Sequence, residues 1–272
     1  MLVPHAQVRD LELYYEIHGD GEPLLCVMGL GGDISGWRFQ LRAWSQAFRV
    51  IAFDNRDCGR SSYLAAEYEV RDMAADALAL ADVIGLERFH LVGMSLGGAI
   101  AQELALAAPE RVLTLTLIVS YGGGGRWARE RARLEIASAA SRSEEQLLDE
   151  MLLQTFSEAT LEQPGVLETL RSFILSYEYR QRREGFIRQL RAGARHEARE
   201  RLPRLSMPTH VIGAEQDLLV PVWKSRELAR LIPGAKLSVI TGAAHVVNIE
   251  RAGELNELVL GFLGSTANVA SA

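Results

Sequence analysis

The chain has 272 residues, of which 48% are hydrophobic and 24% are charged. These are ordinary values for a globular protein, so they argue against disorder, and the length suffices for one large domain. The formal net charge of −6 argues against a nucleic-acid-binding protein, because such proteins usually carry a basic excess.

No apolar run reaches the roughly 20 residues that a membrane-spanning helix needs. The N-terminus has early charges and lacks the apolar centre of a signal peptide. The two cysteines, Cys26 and Cys58, have neither the number nor the spacing of a disulfide framework or a metal site. We therefore expect a cytoplasmic protein with no membrane partner, no nucleic-acid partner and no metal.

The first 120 residues alternate between short apolar runs and amphipathic segments. The predicted strands are 11–17, 24–28, 49–54, 89–94 and 112–119, and the predicted helices are 37–48, 70–84 and 97–107. This alternation is typical of an α/β fold with a mostly parallel sheet that is covered by helices on both faces.

The pattern changes after Ser120 and returns near residue 204. Residues 121–203 contain no convincing strand and are rich in charged, helix-forming segments, so they predict a helical insertion. Predicted strands at 209–214 and 236–241, a helix at 222–231 and a closing helix through Leu263 follow. We therefore expect a core of residues 1–120 and 204–264, a helical cap at 121–203 and a frayed tail at 265–272.

Ser95 lies in the sequence Gly-Met-Ser-Leu-Gly, between the predicted strand at 89–94 and the helix that follows it. Gly-x-Ser-x-Gly at a strand-to-helix turn is the pattern of a nucleophile elbow, in which a tight turn exposes the serine hydroxyl. An ordinary glycine-rich turn is the plainer interpretation, and only suitable partners elsewhere in the chain can distinguish the two.

A serine nucleophile needs a general base and a carboxylate that orients the base. Of the six histidines, His245 follows a predicted strand, in a small-residue loop at the edge of the sheet where active sites gather. Asp217 follows the preceding strand at the same edge, and Glu215 is its competitor. The order serine, acid, histidine is typical of α/β-hydrolases, and we assign the acid to Asp217.

Four segments together resemble successive blocks of the α/β-hydrolase superfamily: GMSLGGAIAQELALAAPERV, FDNRDCGRSS, GAEQDLLVP and GAAHVVNIE. The resemblance is closest to small esterases and enol-lactone hydrolases, and it covers most of the chain outside the insertion, which resembles the variable cap. It implies an oxyanion hole formed by the backbone N–H groups of Leu30 and Leu96. Met28 stands where many relatives carry a histidine.

Three side chains are candidates for the substrate pocket: Met28, Trp37 just after the oxyanion loop, and Trp127 in the cap. The cap also carries many arginines, which could hold a substrate carboxylate or simply pair with nearby glutamates on helix faces. The second interpretation is favoured on the sequence alone.

The leading hypothesis is a serine hydrolase that needs no cofactor and cleaves small carboxylic esters through Ser95, His245 and Asp217. The glycine run at 29–32 lacks the third glycine of a dinucleotide-binding fingerprint. A lactone or enol-lactone substrate, or a C–C bond beside a ketone, fits the same three residues. A non-catalytic protein that binds a small molecule is the alternative from another class. No pattern indicates a homo-oligomer.

Overall fold

The computed structural model describes the backbone of residues 4–270 and the side chains as far as residue 266. Over this range one sheet contains eight strands in the order β1-β2-β4-β3-β5-β6-β7-β8. The strands are β1 (His5–Val8), β2 (Leu11–His18), β3 (Glu22–Val27), β4 (Phe48–Phe53), β5 (Phe89–Met94), β6 (Val112–Ile118), β7 (Thr209–Ala214) and β8 (Lys236–Ile240). Strand β2 pairs antiparallel with β1 on one side and with β4 on the other. The remaining pairings, β4-β3, β3-β5, β5-β6, β6-β7 and β7-β8, are parallel.

Helices cover both faces of this sheet, and a second group of helices lies between β6 and β7. The first group consists of α1 (Arg38–Trp44), α2 (Val70–Val83), α3 (Leu96–Ala107), α9 (Val222–Leu231), α10 (Val247–Glu250) and α11 (Ala252–Ala270). The inserted group consists of α4 (Gly125–Ser141), α5 (Glu144–Thr155), α6 (Glu158–Leu161), α7 (Val166–Ser176) and α8 (Arg183–Arg195).

The central strands bury both of their faces, as parallel strands between two helical layers must. On β3, Leu25 and Val27 belong to the core beneath α2 and α3, whereas Leu24 and Cys26 belong to the core beneath α1 and α11. This explains why the central strands read as continuous apolar runs rather than as alternating patterns. The predicted α/β architecture with a mostly parallel sheet is confirmed.

The structure differs from the sequence-based predictions in the first part of the chain. Strand β1 was missed because it has only four residues, of which two face solvent. The helix predicted over 37–48 ends at Trp44, and Phe48 begins β4 instead. The turn between them is closed by a hydrogen bond from the Ala47 N–H to the Trp44 carbonyl (3.1 Å).

The last helix is longer than predicted. We expected it to stop at Leu263 and the chain to fray over 265–272, but α11 continues to Ala270. The hydroxyls of Ser265 and Thr266 donate to carbonyls of the preceding turn, which is compatible with helix. Residues 271–272 lie outside the described range.

The insertion begins and ends close to the predicted limits of 121–203, with α4 starting at Gly125 and α8 ending at Arg195. A backbone bridge between Gly123 and Glu197 joins its two ends. Within residues 4–270, no helix has both the length and the hydropathy that crossing a membrane requires.

Candidate active site

Ser95 lies at a sharp turn between β5 and α3, with φ 55° and ψ −120°. A non-glycine residue at positive φ is uncommon and strained. The turn is possible because the residues two positions before and after Ser95 are glycines. A Cβ on Gly93 would lie 2.3 Å from the Gly97 carbonyl oxygen, and one on Gly97 would lie 2.1 Å from the Val27 carbonyl oxygen. The glycines therefore permit close approach of backbone, as the elbow pattern predicted.

Two hydrogen bonds fix this turn to the neighbouring strand. The Ser95 N–H donates to the Ile118 carbonyl (2.9 Å), and the Ser120 hydroxyl donates to the Ser95 carbonyl (2.9 Å). No sequence pattern indicated this role of Ser120, which lies two residues after the end of β6. Its role is visible only in the sheet, because β6 lies beside β5.

The side chains of Ser95, His245 and Asp217 form one chain of hydrogen bonds. His245 Nε2 lies 3.0 Å from Ser95 Oγ, and His245 Nδ1 lies 2.8 Å from Asp217 Oδ2. An ionised carboxylate can only accept a hydrogen bond, so Nδ1 carries the proton and donates to Asp217. Nε2 is then free to accept the hydroxyl proton of Ser95. His245 is 7% exposed and Asp217 is 4% exposed.

The Asp217 carboxylate is held by its own loop. Its Oδ1 accepts hydrogen bonds from the N–H groups of Leu219 and Val220, both at 2.8 Å. Glu215, the competing acid, instead accepts a hydrogen bond from the Gly242 N–H through Oε2 (3.0 Å). The geometry therefore pairs Asp217, and not Glu215, with His245.

The other histidines have structural partners away from Ser95. Their contacts are His5 with the Tyr14 ring, His18 with Glu16, His90 with Thr114, His196 with Glu103 and His210 with Ser238. Burial lowers the pKa of His210 to about 4, with a further contribution from Lys236. This histidine is therefore neutral at physiological pH and has a structural rather than a titrating role.

Of the predicted oxyanion-hole residues, Leu96 directly follows the serine, and Leu30 directly follows a glycine that packs on it. Leu96 is the first residue of α3, where a backbone N–H has no acceptor within the helix. Gly29, the residue before Leu30, packs directly on Ser95: a Cβ at Gly29 would lie 2.9 Å from the Ser95 Cβ. The side-chain amide of Asn55 donates to the Met28 carbonyl (2.9 Å) and thereby fixes the start of this loop.

The predicted pocket residues are in different environments. Trp37 is fully buried and packs on Trp44, so it supports the core and does not line an accessible pocket. Met28 is 5% exposed, and its side chain fills the space left by Gly32 and Gly36, so it also packs internally. Trp127, on α4, is 54% exposed beneath the Arg131 guanidinium, and its place in a pocket stays a prediction.

Most cap arginines are paired with carboxylates. The pairs include Arg131–Glu135, Arg133–Glu130, Arg180–Glu144, Arg188–Asp57, Arg191–Glu67, Arg195–Glu67 and Arg199–Glu197. The sequence favoured pairs between arginines and glutamates at helical spacing within the cap. Three arginines pair instead with Asp57 and Glu67, which lie outside the cap. Arg188, Arg191 and Arg195 therefore attach the cap to the sheet domain, residues 1–120 and 204–264, which the sequence pattern could not indicate.

Comparisons with known proteins agree with this fold. The model of the alpha/beta hydrolase fold family matches residues 22–252. A protein of Azorhizobium caulinodans named as the carbamate hydrolase RutD is 32% identical over 266 residues, which cover 96% of this chain and 98% of that protein.

Two solved structures are similar over nearly their whole length. The enol-lactonase from Burkholderia xenovorans has a TM-score of 0.88 and 28% identity, covering 96% of this chain and 100% of its own. A thermophilic esterase from Thermogutta terrifontis has a TM-score of 0.86 and 27% identity, covering 97% and 99%. The chain therefore belongs to the alpha/beta hydrolase fold family.

Proposed function

We propose that this protein is a serine hydrolase that cleaves small carboxylic esters without a cofactor. The observation that carries the proposal is the hydrogen-bond chain from Ser95 through His245 to Asp217, which is the arrangement of a nucleophile, a general base and an orienting carboxylate. Hydrolase chemistry also agrees with the names of the relatives. The ester substrate and the three catalytic roles are our assignment.

In the first half of the reaction, Ser95 Oγ attacks the ester carbonyl carbon while its proton moves to His245 Nε2. The π electron pair of the carbonyl moves to its oxygen and makes it an oxyanion. The N–H groups of Leu30 and Leu96 would stabilise this oxyanion in place of water. The C–O bond to the alcohol then breaks, the alcohol oxygen takes the proton from His245, and an acyl-Ser95 ester remains. Asp217 keeps its charge throughout and stabilises the imidazolium.

In the second half, a water molecule attacks the acyl-enzyme. His245 takes one water proton, the same oxyanion site stabilises the new tetrahedral intermediate, and the C–O bond to Ser95 breaks. Ser95 Oγ recovers its proton from His245, and the carboxylic acid leaves. One imidazole transfers every proton, and no atom changes its oxidation state. The reaction as written therefore uses no oxidant or reductant.

A lactone or enol-lactone is the second candidate substrate, and the similarity to the enol-lactonase favours it. A lactone is a cyclic ester, so the same steps apply, but the leaving alcohol stays attached to the acyl group. A panel of matched linear esters, lactones and enol-lactones would separate the two. Higher kcat/KM for the cyclic compounds would contradict the linear-ester assignment while leaving the triad intact.

The proposal is tested by labelling with a fluorophosphonate, which reacts with activated serines. We expect one adduct, on Ser95, and we expect Ser95→Ala to abolish labelling and to lower ester turnover by a factor on the order of 10⁶. Ser141→Ala, at an exposed position on α4, is the control and should behave as the wild type. A folded wild-type protein that neither labels nor turns over any ester or lactone, but is stabilised by a small ligand, would support the binding-protein alternative.

A further inference from the structure

The segment 154–157, where α5 ends and α6 begins, contacts the loop of His245 directly and is joined to the loop of Asp217 through Arg131. It belongs to the cap, whereas the two loops belong to the sheet domain. We propose that this cap segment positions the catalytic acid and base, and that Glu250 and Arg131 are the positioning residues that transmit its contacts. The inference rests on the proposed function, because it assigns these residues to the same reaction.

On the histidine side, the Glu250 carboxylate joins the cap to the loop. Its Oε1 accepts hydrogen bonds from the Ser157 N–H (2.8 Å) and the Ser157 hydroxyl (2.7 Å). Its Oε2 accepts a hydrogen bond from the Ala244 N–H (2.7 Å), the residue directly before His245. The residue directly after His245 is held as well, since the Val246 N–H donates to the Thr155 carbonyl (3.2 Å). Both neighbours of the base are therefore linked to one short piece of the cap.

Apolar packing reinforces these contacts. Leu152 and Phe156 are buried in a small cluster of the cap, and Val246 and Ile249 pack against that cluster from the sheet domain. The backbone on each side of His245 is thus fixed by hydrogen bonds and by burial. Displacement of the cap segment would break both sets of contacts together.

On the acid side, Arg131 of α4 makes the corresponding link. Its Nη1 donates to the carbonyls of Leu218 (3.4 Å) and Leu219 (3.2 Å), in the loop whose N–H groups hold the Asp217 carboxylate. Its Nη2 donates to the side-chain oxygen of Gln154 (3.1 Å), the first residue of the segment. Arg131 is therefore held between the cap segment and the acid loop and does not point freely into solvent.

The two links act on the one geometric quantity on which the proposed chemistry depends, the alignment of Ser95, His245 and Asp217. Misplacement of a catalytic group by about 1 Å can lower a rate about 100-fold. Neither Glu250 nor Arg131 contacts the three side chains directly, so their loss should lower the rate of the chemical steps and leave substrate binding nearly unchanged.

Glu250→Gln is the sharpest test because it changes almost no volume. An amide nitrogen carries two hydrogens and cannot accept a hydrogen bond. With the amide oxygen directed at Ser157, the –NH₂ group faces the Ala244 N–H, and the link to the His245 loop is lost. Glu257→Gln is the control, since Glu257 lies exposed on α11. For the acid side, Arg131→Met is compared with Arg133→Met, an exposed position on the same helix.

The measurements are kcat and KM on an ester that the wild type hydrolyses, the rate of fluorophosphonate labelling, and the low-field proton resonance of His245 Nδ1. We expect Glu250→Gln and Arg131→Met to lower kcat and the labelling rate by about 10- to 100-fold, with KM unchanged and the proton resonance shifted or broadened. Both controls should match the wild type in all four quantities.

Wild-type kcat in a folded Glu250→Gln variant would overturn the inference for Glu250, and the same result in Arg131→Met would overturn it for the acid side. If Glu250→Gln does not fold, the kcat of Arg131→Met alone tests whether the cap segment positions the catalytic groups. A wild type that neither labels nor turns over substrate would contradict the proposed function instead. The Nδ1 proton resonance would then still report whether the cap segment positions His245.

Discussion

The Asp217 carboxylate offers a test in which the structure dictates how a substituted side chain must lie. Asp217→Asn keeps the size of the side chain and replaces one oxygen by –NH₂. Two backbone N–H groups, of Leu219 and Val220, point at Oδ1, and their hydrogen bonds require an oxygen there. The amide –NH₂ must therefore face His245 Nδ1, at the position now occupied by Oδ2.

The consequence is a change of tautomer in the proposed base. A hydrogen-bond donor facing Nδ1 makes that nitrogen the acceptor, so the ring proton moves to Nε2, where it prevents His245 from accepting the Ser95 proton. The corresponding substitution in a serine-protease triad lowers kcat about 10⁴-fold. We expect a similar loss here, which corresponds to about 5.4 kcal/mol in the activation free energy.

The assay is kcat on a soluble acyl ester, together with the fluorophosphonate labelling rate and the melting temperature. Glu215→Gln is the matched control, because Glu215 hydrogen-bonds Gly242 and not His245, and it should change kcat less than about tenfold. If Asp217→Asn kept wild-type kcat while Glu215→Gln lost activity, the assignment of the acid and the reasoning about the tautomer would both be refuted.

Three further predictions concern stability. Gly97→Ala should lower the free energy of unfolding by about 2 kcal/mol, because its Cβ would lie 2.1 Å from the Val27 carbonyl oxygen and backbone cannot give way cheaply; urea denaturation measures this. Arg188→Met should cost roughly 3 kcal/mol by the same assay, because it removes the two charge-assisted hydrogen bonds, of 2.7 and 2.9 Å, that Arg188 donates to the buried Asp57 carboxylate. Burial alone would raise the pKa of Glu103, but hydrogen bonds from Arg201 and His196 outweigh it and lower the pKa from 4.5 to about 2. The ionised Glu103 thus contributes stability that is present above pH 4.5 and is lost as the pH falls toward 2, so the deficit of Glu103→Gln relative to the wild type should shrink over that interval.

The first two of these predictions have control variants on the same chain. Gly261→Ala, in α11 with no atom near its Cβ position, should stabilise the protein by up to about 1 kcal/mol. Arg183→Met, at an exposed position on α8, should be nearly neutral. A Glu103→Gln deficit that stays constant from neutral pH to pH 2 would contradict the pKa argument, and a neutral Gly97→Ala would contradict the packing argument for the elbow.

Much of the fold was predictable because its signals are local. The limits of β5, β7 and α9 agree with the sequence-based predictions, since continuous apolar runs and amphipathic repeats report directly on burial. The structure places the predicted pocket residues Met28 and Trp37 in the buried core, a distinction that the sequence could not make. An apolar residue near a functional loop has the same sequence signature whether it lines a pocket or packs the core beneath it.

The sequence by itself determined which chemical groups are available and in what order: a serine in an elbow of glycines, then the two acids Glu215 and Asp217, then His245. It did so because an elbow needs residues without side chains, and that requirement is local. Only the tertiary structure decided that His245 lies within 3.0 Å of Ser95, that Asp217 rather than Glu215 pairs with it, and that cap residues hold their loops. These contacts join residues far apart in the chain, and their geometry depends on how the strands are ordered in the sheet and how the cap packs upon it.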